Sequence, residues 1–230
     1  MHSLVIAASL VIGAPLGERE SANADALPIT RLEQWFARPK PNGPRFLDHG
    51  TLALAAFGGA PHRYRVELRT GLFDVVSVGV TAHWLPGQAW PRVWPVAALA
   101  LWRGALFEVG AHYRPVLFPP VDRSTTFEPD AHFALASFTL GSGLFSAGLD
   151  MGVANLRVPD VLTGDPTRSR RESMFGGGFV VRVGNEWIGG SLDALAAVGD
   201  DEILLVLEAG VEIRFGLSPS VTRLFDRRSR

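Results

Sequence analysis

The chain has 230 residues, with 22 Lys and Arg against 23 Asp and Glu, and no Cys. So even a balance argues against nucleic acid as a main partner, since neutralising phosphates takes an excess of cations on one face. The missing thiols exclude a disulfide framework, a thiolate metal site and a cysteine nucleophile. Mean hydropathy is +0.17, yet beyond the first residues no apolar run approaches the roughly 18 residues of a membrane helix.

Residues 1–24 read as a signal peptide: an apolar core from Leu4 to Leu16, then the small-x-small site Ala22-Asn23-Ala24. Its n-region, Met1-His2-Ser3, carries no Lys or Arg, which is atypical. Residues 25–49 contain Pro28, Pro39, Pro41, Pro44 and the chain's one lysine, Lys40. They read as a periplasmic linker or a small plug, with a short helix over Ile29–Ala37 that puts Leu32, Trp35 and Phe36 on one side.

From Gly50 onward the dominant period is two. Over 75–84, Val76, Val78, Val80, Ala82 and Trp84 share one parity, and Ser77, Gly79, Thr81 and His83 the other. The pattern recurs over 63–69, 107–114, 145–153 and 205–215. A helix cannot sustain it, because alternation would smear both classes around its circumference. Ten strands are expected, at 51–58, 62–70, 73–84, 94–103, 106–117, 132–141, 144–156, 174–184, 187–197 and 203–216, with eight the neighbouring even count. Four connections are tight and place Gly just ahead of an aromatic: Gly71 before Phe73, Gly104 before Phe107, Gly143 before Phe145 and Gly184 before Trp187. The longer connections, Pro119–Ala131 and Arg157–Ser173, fall at the opposite end.

Which parity faces outward is decided by composition. A solvated face would be rich in Lys and Glu; here the polar parity holds Gly, Ser, Thr and charges of both signs, which suits a crowded lumen where ions pair. The aromatics also sort into two rings. Phe73, Trp102, Phe107, Phe145, Trp187 and Phe215 fall near the tight turns, and Phe57, Tyr64, Trp84, Trp90, Trp94, Tyr113, Phe118 and Phe175 near the other end. Phe73 sits on the polar parity and therefore needs a bulge or a turn position. The fold expected is all-β: a closed antiparallel up-and-down transmembrane barrel over 50–216, followed by a tail at 217–230.

These features together resemble a small, porin-like outer-membrane β-barrel of a Gram-negative bacterium. The resemblance covers about residues 50–216 and is one of architecture. It implies export to the outer membrane, outer-membrane lipid and the barrel-assembly machinery as partners, and a monomer without a cofactor. The chain departs from the pattern in continuing past Phe215, where a terminal aromatic usually ends the last strand; Phe225 is a second candidate for that signal.

The expected lumen residues are Arg65, Glu67, Arg69, His83, Glu108, His112, Arg114, Asp150, Arg182, Asp193, Glu208, Glu212 and Arg214. Their near balance of charge points first to a salt-bridged filling with a structural or adhesive role, and second to narrow passage of small solutes. An enzyme at the rim is the alternative. Asp130 and His132 have the Asp-x-His spacing with which outer-membrane aspartyl-type proteases orient a general base, and Asp200-Asp201 lies in another outer loop. A serine hydrolase would draw on Ser137 with His83 or His112, but no nucleophile motif supports it. A soluble β-barrel binding protein, with the apolar parity inward, is the remaining alternative. Gly176-Gly177-Gly178 reads as close packing within a strand, and six dispersed His offer no metal-ligand spacing.

Overall fold

In the computed structural model, residues 43–60, 63–118, 129–159, 169–199 and 203–216 are described. The expected signal peptide, most of the linker, Asp200-Asp201 and the tail lie outside them. Ten strands form one closed antiparallel barrel: β1 (Thr51–Ala60), β2 (Arg63–Leu72), β3 (Val76–Trp84), β4 (Arg92–Arg103), β5 (Phe107–Leu117), β6 (Asp130–Ser142), β7 (Phe145–Pro159), β8 (Ser169–Gly184), β9 (Ile188–Val198) and β10 (Ile203–Gly216). Each strand pairs with its chain neighbours, and β1 closes on β10 from Thr51↔Gly216 to Ala60↔Leu207. The tight turns and both ends of the barrel segment share one rim, and the longer connections the other.

The alternation sets the faces. Leu149 and Leu207 are exposed on the outside and Val78 half-exposed, whereas Arg65 and Glu212 are each 3% accessible inside. The outer surface is a continuous apolar wall that includes Leu68, Val80, Leu99, Phe138, Met151, Phe179, Leu192, Leu205 and Val211. A monomer surrounded by water rarely exposes so large an apolar area.

Three aromatics assigned to the outer ring face inward instead. Phe57 lies beneath the Arg65 guanidinium, 3.7 Å from Cζ to the ring centroid. Trp94 packs edge-on to His83 at 5.3 Å, and Phe118 joins the buried core. Phe73 occupies a turn rather than the start of a strand. It and Asp74 adopt left-handed φ of 56° and 59°, a strained geometry for residues with a Cβ. The surroundings hold it: the Phe73 N–H donates to His49 Nδ1 at 3.1 Å, the His49 N–H to Asp74 Oδ1 at 2.6 Å, and the Phe73 and His49 rings stack 5.5 Å apart.

The wall has one seam. β4 and β5 pair from Ala97↔Tyr113 to Arg103↔Glu108, with a bulge at Leu101. Toward the longer connections the ladder stops: Arg92–Val96 pair only with β3, and Arg114–Leu117 only with β6. Two residues beyond Ala97 and Tyr113, the same register would bring Pro95 opposite Pro115. Neither ring nitrogen can donate to a ladder, so both edges stay open there. Residues Arg114 to Phe118 are buried on both faces, and Arg63 of β2 donates to the Leu117 carbonyl at 3.3 Å. The outer end of β5 thus leans into the barrel mouth.

Candidate functional site

All thirteen expected lumen residues face the interior. Twelve are buried, and the Arg69 side chain is 10% accessible. Glu208 of β10 is the hub of one cluster: it pairs with Arg63 at 2.6 Å, with Arg65 at 3.0 Å and with Arg114. Arg65 also binds Glu67, and Arg114 binds Asp193. Glu212 is a second hub, reached by Arg69 at 2.8 Å, Arg182 at 3.3 Å and Arg214 at 2.7 Å. The geometry follows from parity, since Glu208, Glu212 and Arg214 are spaced by even numbers along one strand and point the same way.

Residues 43–50 enter this network as a plug. An irregular segment has no ladder for its carbonyls, and burial requires that something else bond them. Arginines from the wall do so. Arg214 donates to the Gly43 carbonyl at 2.7 Å, Arg69 to that of Arg45 at 3.2 Å, and Arg103 to those of Leu47 and Phe46 at 3.3 and 3.4 Å. Arg45 itself reaches Asp150 at 2.6 Å and Asp193 at 3.3 Å, while the Leu47 N–H donates to Ser77 Oγ at 2.9 Å. The Phe46 ring lies against Gly110, where an added Cβ would come within 2.5 Å of it. A cavity of about 40 Å³ remains between plug and wall, lined by Arg45, Phe57, His112 and Asp193 among others, room for a few waters at most.

Toward the longer connections the lumen parity turns apolar. Val116, Phe118, Ala131, Phe133, Leu135, Ala154, Leu156, Met174, Leu195, Ala197 and Val206 form one buried cluster across the mouth. Gly176 makes room for it, since a Cβ there would meet Phe133 at 3.1 Å and Leu135 at 3.2 Å.

The hydrolase candidates separate. Ser137 is buried and donates to Asp150 Oδ1 at 2.6 Å; His112 stands 3.8 Å from the same carboxylate, and His83 lies 3.1 Å from Thr81 Oγ1. The serine proton is thus directed to a carboxylate, with no imidazole placed to take it. Asp130 and His132 do meet, on the outer wall of β6 near the long-connection rim. Asp130 Oδ2 is 3.0 Å from His132 Nε2, and Asp130 Oδ1 is 2.6 Å from Arg157 Nε. An Nε2–H donated to Asp130 leaves Nδ1 to accept from the Tyr113 phenol, 2.6 Å away and stacked on the imidazole. A cleft of about 490 Å³ opens beside them, lined by Arg92, Val93, Trp94, Asp130, His132, Arg157 and Arg171.

Sequence reasoning missed Arg45, Arg63 and Arg103. With them, eight guanidiniums face six carboxylates inside the described part of the barrel. Arg63 shares the parity of Arg65 and could have been read from it. Arg103 could not, because the bulge at Leu101 shifts the parity of everything after it.

No family model matches this chain, and no curated protein matches it. Among solved structures it is similar to the crystal structure of the N-terminal β-barrel domain of Pseudomonas aeruginosa OprF, at 11% identity and a TM-score of 0.38, over 73% of this chain and 98% of that one.

Proposed function

We propose that this chain is an integral outer-membrane β-barrel with a sealed lumen, serving as a structural element rather than a channel. The observation that carries the reading is the inversion of an ordinary soluble fold: charge and plug inside, an apolar wall outside. Strands of 9 to 16 residues exceed or match the roughly 9–11 that cross a bilayer when tilted. Closure satisfies the backbone without water along the wall, apart from the long-connection half of β4–β5 and the overhang of β8 at Ser169–Met174, which pairs only with β7. Outer-membrane lipid would be the standing partner, and the barrel-assembly machinery the transient one. Membrane fractionation with heat-modifiable gel mobility tests the location: the protein is expected to resist extraction in detergent-free buffer, and full extraction would defeat the reading. Planar-bilayer recording tests the seal. Silence is expected, and discrete open-channel steps from the native protein would replace it with solute passage.

A second reading, catalysis at the outer rim, rests on the Asp130–His132–Tyr113 chain beside an open cleft. Alanine at Asp130 and His132, assayed for peptide and lipid-ester cleavage, separates an enzyme from an inert barrel.

A further inference from the structure

The cleft at the long-connection rim concentrates positive charge in a small space. The whole chain carries a formal net charge of −1, yet three arginines and one carboxylate line this one opening. They come from three strands. Arg92 lies on β4, Arg157 on β7 and Arg171 on β8, and the leaning of β5 into the mouth brings them around one space. Arg157 is anchored by Asp130 at 2.6 Å, and Arg171 donates to Asn155 Oδ1 at 3.3 Å. His132, both ring nitrogens held by Asp130 and Tyr113, lines the cleft, while Val93 and Trp94 add an apolar flank.

Position narrows the ligand. Asp130, Arg157 and Arg171 pair directly across β6, β7 and β8 and share the outward parity of Met151, Val153 and Phe175. Arg92 and Trp94 come from the inward parity of β4, so the cleft spans the open β4–β5 edge, from the barrel mouth to the apolar wall. Arg171 stands four residues beyond the exposed ring of Phe175 on β8, roughly 13 Å along the strand. That is where a headgroup sits when aromatics mark the boundary of the hydrocarbon. Guanidinium forks match phosphate oxygens in pairs, and the exposed Val93 suits the apolar remainder of a lipid.

We propose that this cleft binds the phosphate of a phosphorylated lipid headgroup in the leaflet around the longer connections. The proposal rests on the outer-membrane reading above. The probes are lipid A, its fully dephosphorylated form and inorganic phosphate, added to the detergent-folded full chain and followed by native mass spectrometry. Wild type is expected to retain lipid A about tenfold more strongly than the dephosphorylated lipid. The R92Q/R171Q pair should lose that preference while keeping its heat-modifiable mobility, and R170Q, on the opposite parity of β8 from Arg171 and in an ion pair with Glu172, should keep both. Equal retention of the two lipids by wild type would overturn the site without needing any variant. So would an unchanged preference in folded R92Q/R171Q. Inorganic phosphate displacing lipid A at equal concentration would overturn the lipid assignment in favour of the free anion. Extraction of the protein without detergent defeats the membrane reading itself, a result distinct from each of these.

Discussion

The two halves of the lumen are filled by opposite chemistries within one wall. Near the tight turns, arginines and carboxylates interlock around the segment at 43–50. Near the longer connections, Phe133, Leu135, Leu156 and their neighbours close the mouth with hydrocarbon. The same alternation builds both, so period decides which side chains point inward while composition decides how the space is sealed. The ionic half derives its order from directional pairs that fail together when one member is lost; the apolar half relies on volume and fails locally.

The sharpest way to break the ionic half is Glu208→Ala. It would take from buried Arg63 the carboxylate it pairs with and leave Arg65 and Arg114 with one each, Glu67 and Asp193, at a cost of about 3–5 kcal/mol. The measurement is the denaturant midpoint of the folded barrel in detergent, and an unchanged midpoint would deny the hub its role. In the apolar half, Leu135→Ala leaves a cavity costing about 2–4 kcal/mol with no change in the ion pairs. Arg45→Met is milder, about 2 kcal/mol, because Asp150 keeps Ser137 and Asp193 keeps Arg114. Its signature is faster amide exchange at Leu47 while the strands stay protected, and equal loosening everywhere would mean that the plug is integral to the wall. The effect at the seam has the opposite sign, a gain. Replacing Pro95 and Pro115 by Thr restores two donors, each able to contribute about 0.5–1.5 kcal/mol, and should slow exchange across 92–96 and 114–117. No slowing there would show that something other than the missing donors holds the edges apart.

Much of this was readable from period two alone. Every expected strand exists, and Arg65, Glu108, Asp193 and Glu212 lie inside because a one-residue slip would have turned each of them out. The failures have physical causes. Arg45 precedes the periodic region, so nothing local marks it as interior. Phe57 and Trp94 were placed by their distance from strand ends, although parity already put them inside. The Asp130–His132 pair was visible as a spacing, but its partner Tyr113 is supplied by the β5–β6 register, which sets it beside Ala134. The cleft needs Arg92, Arg157 and Arg171 from three separate strands, and no window of sequence contains all three. Pro95 and Pro115 are plain in the sequence; that they would face one another is a fact of pairing.

Those two prolines also fix where the cylinder is weakest. The closing junction between β1 and β10 matches ten residue pairs, against six between β4 and β5. Under mechanical load the ring would therefore tear first between β4 and β5, neighbours in sequence, and the joint that brings the two distant ends together would outlast it.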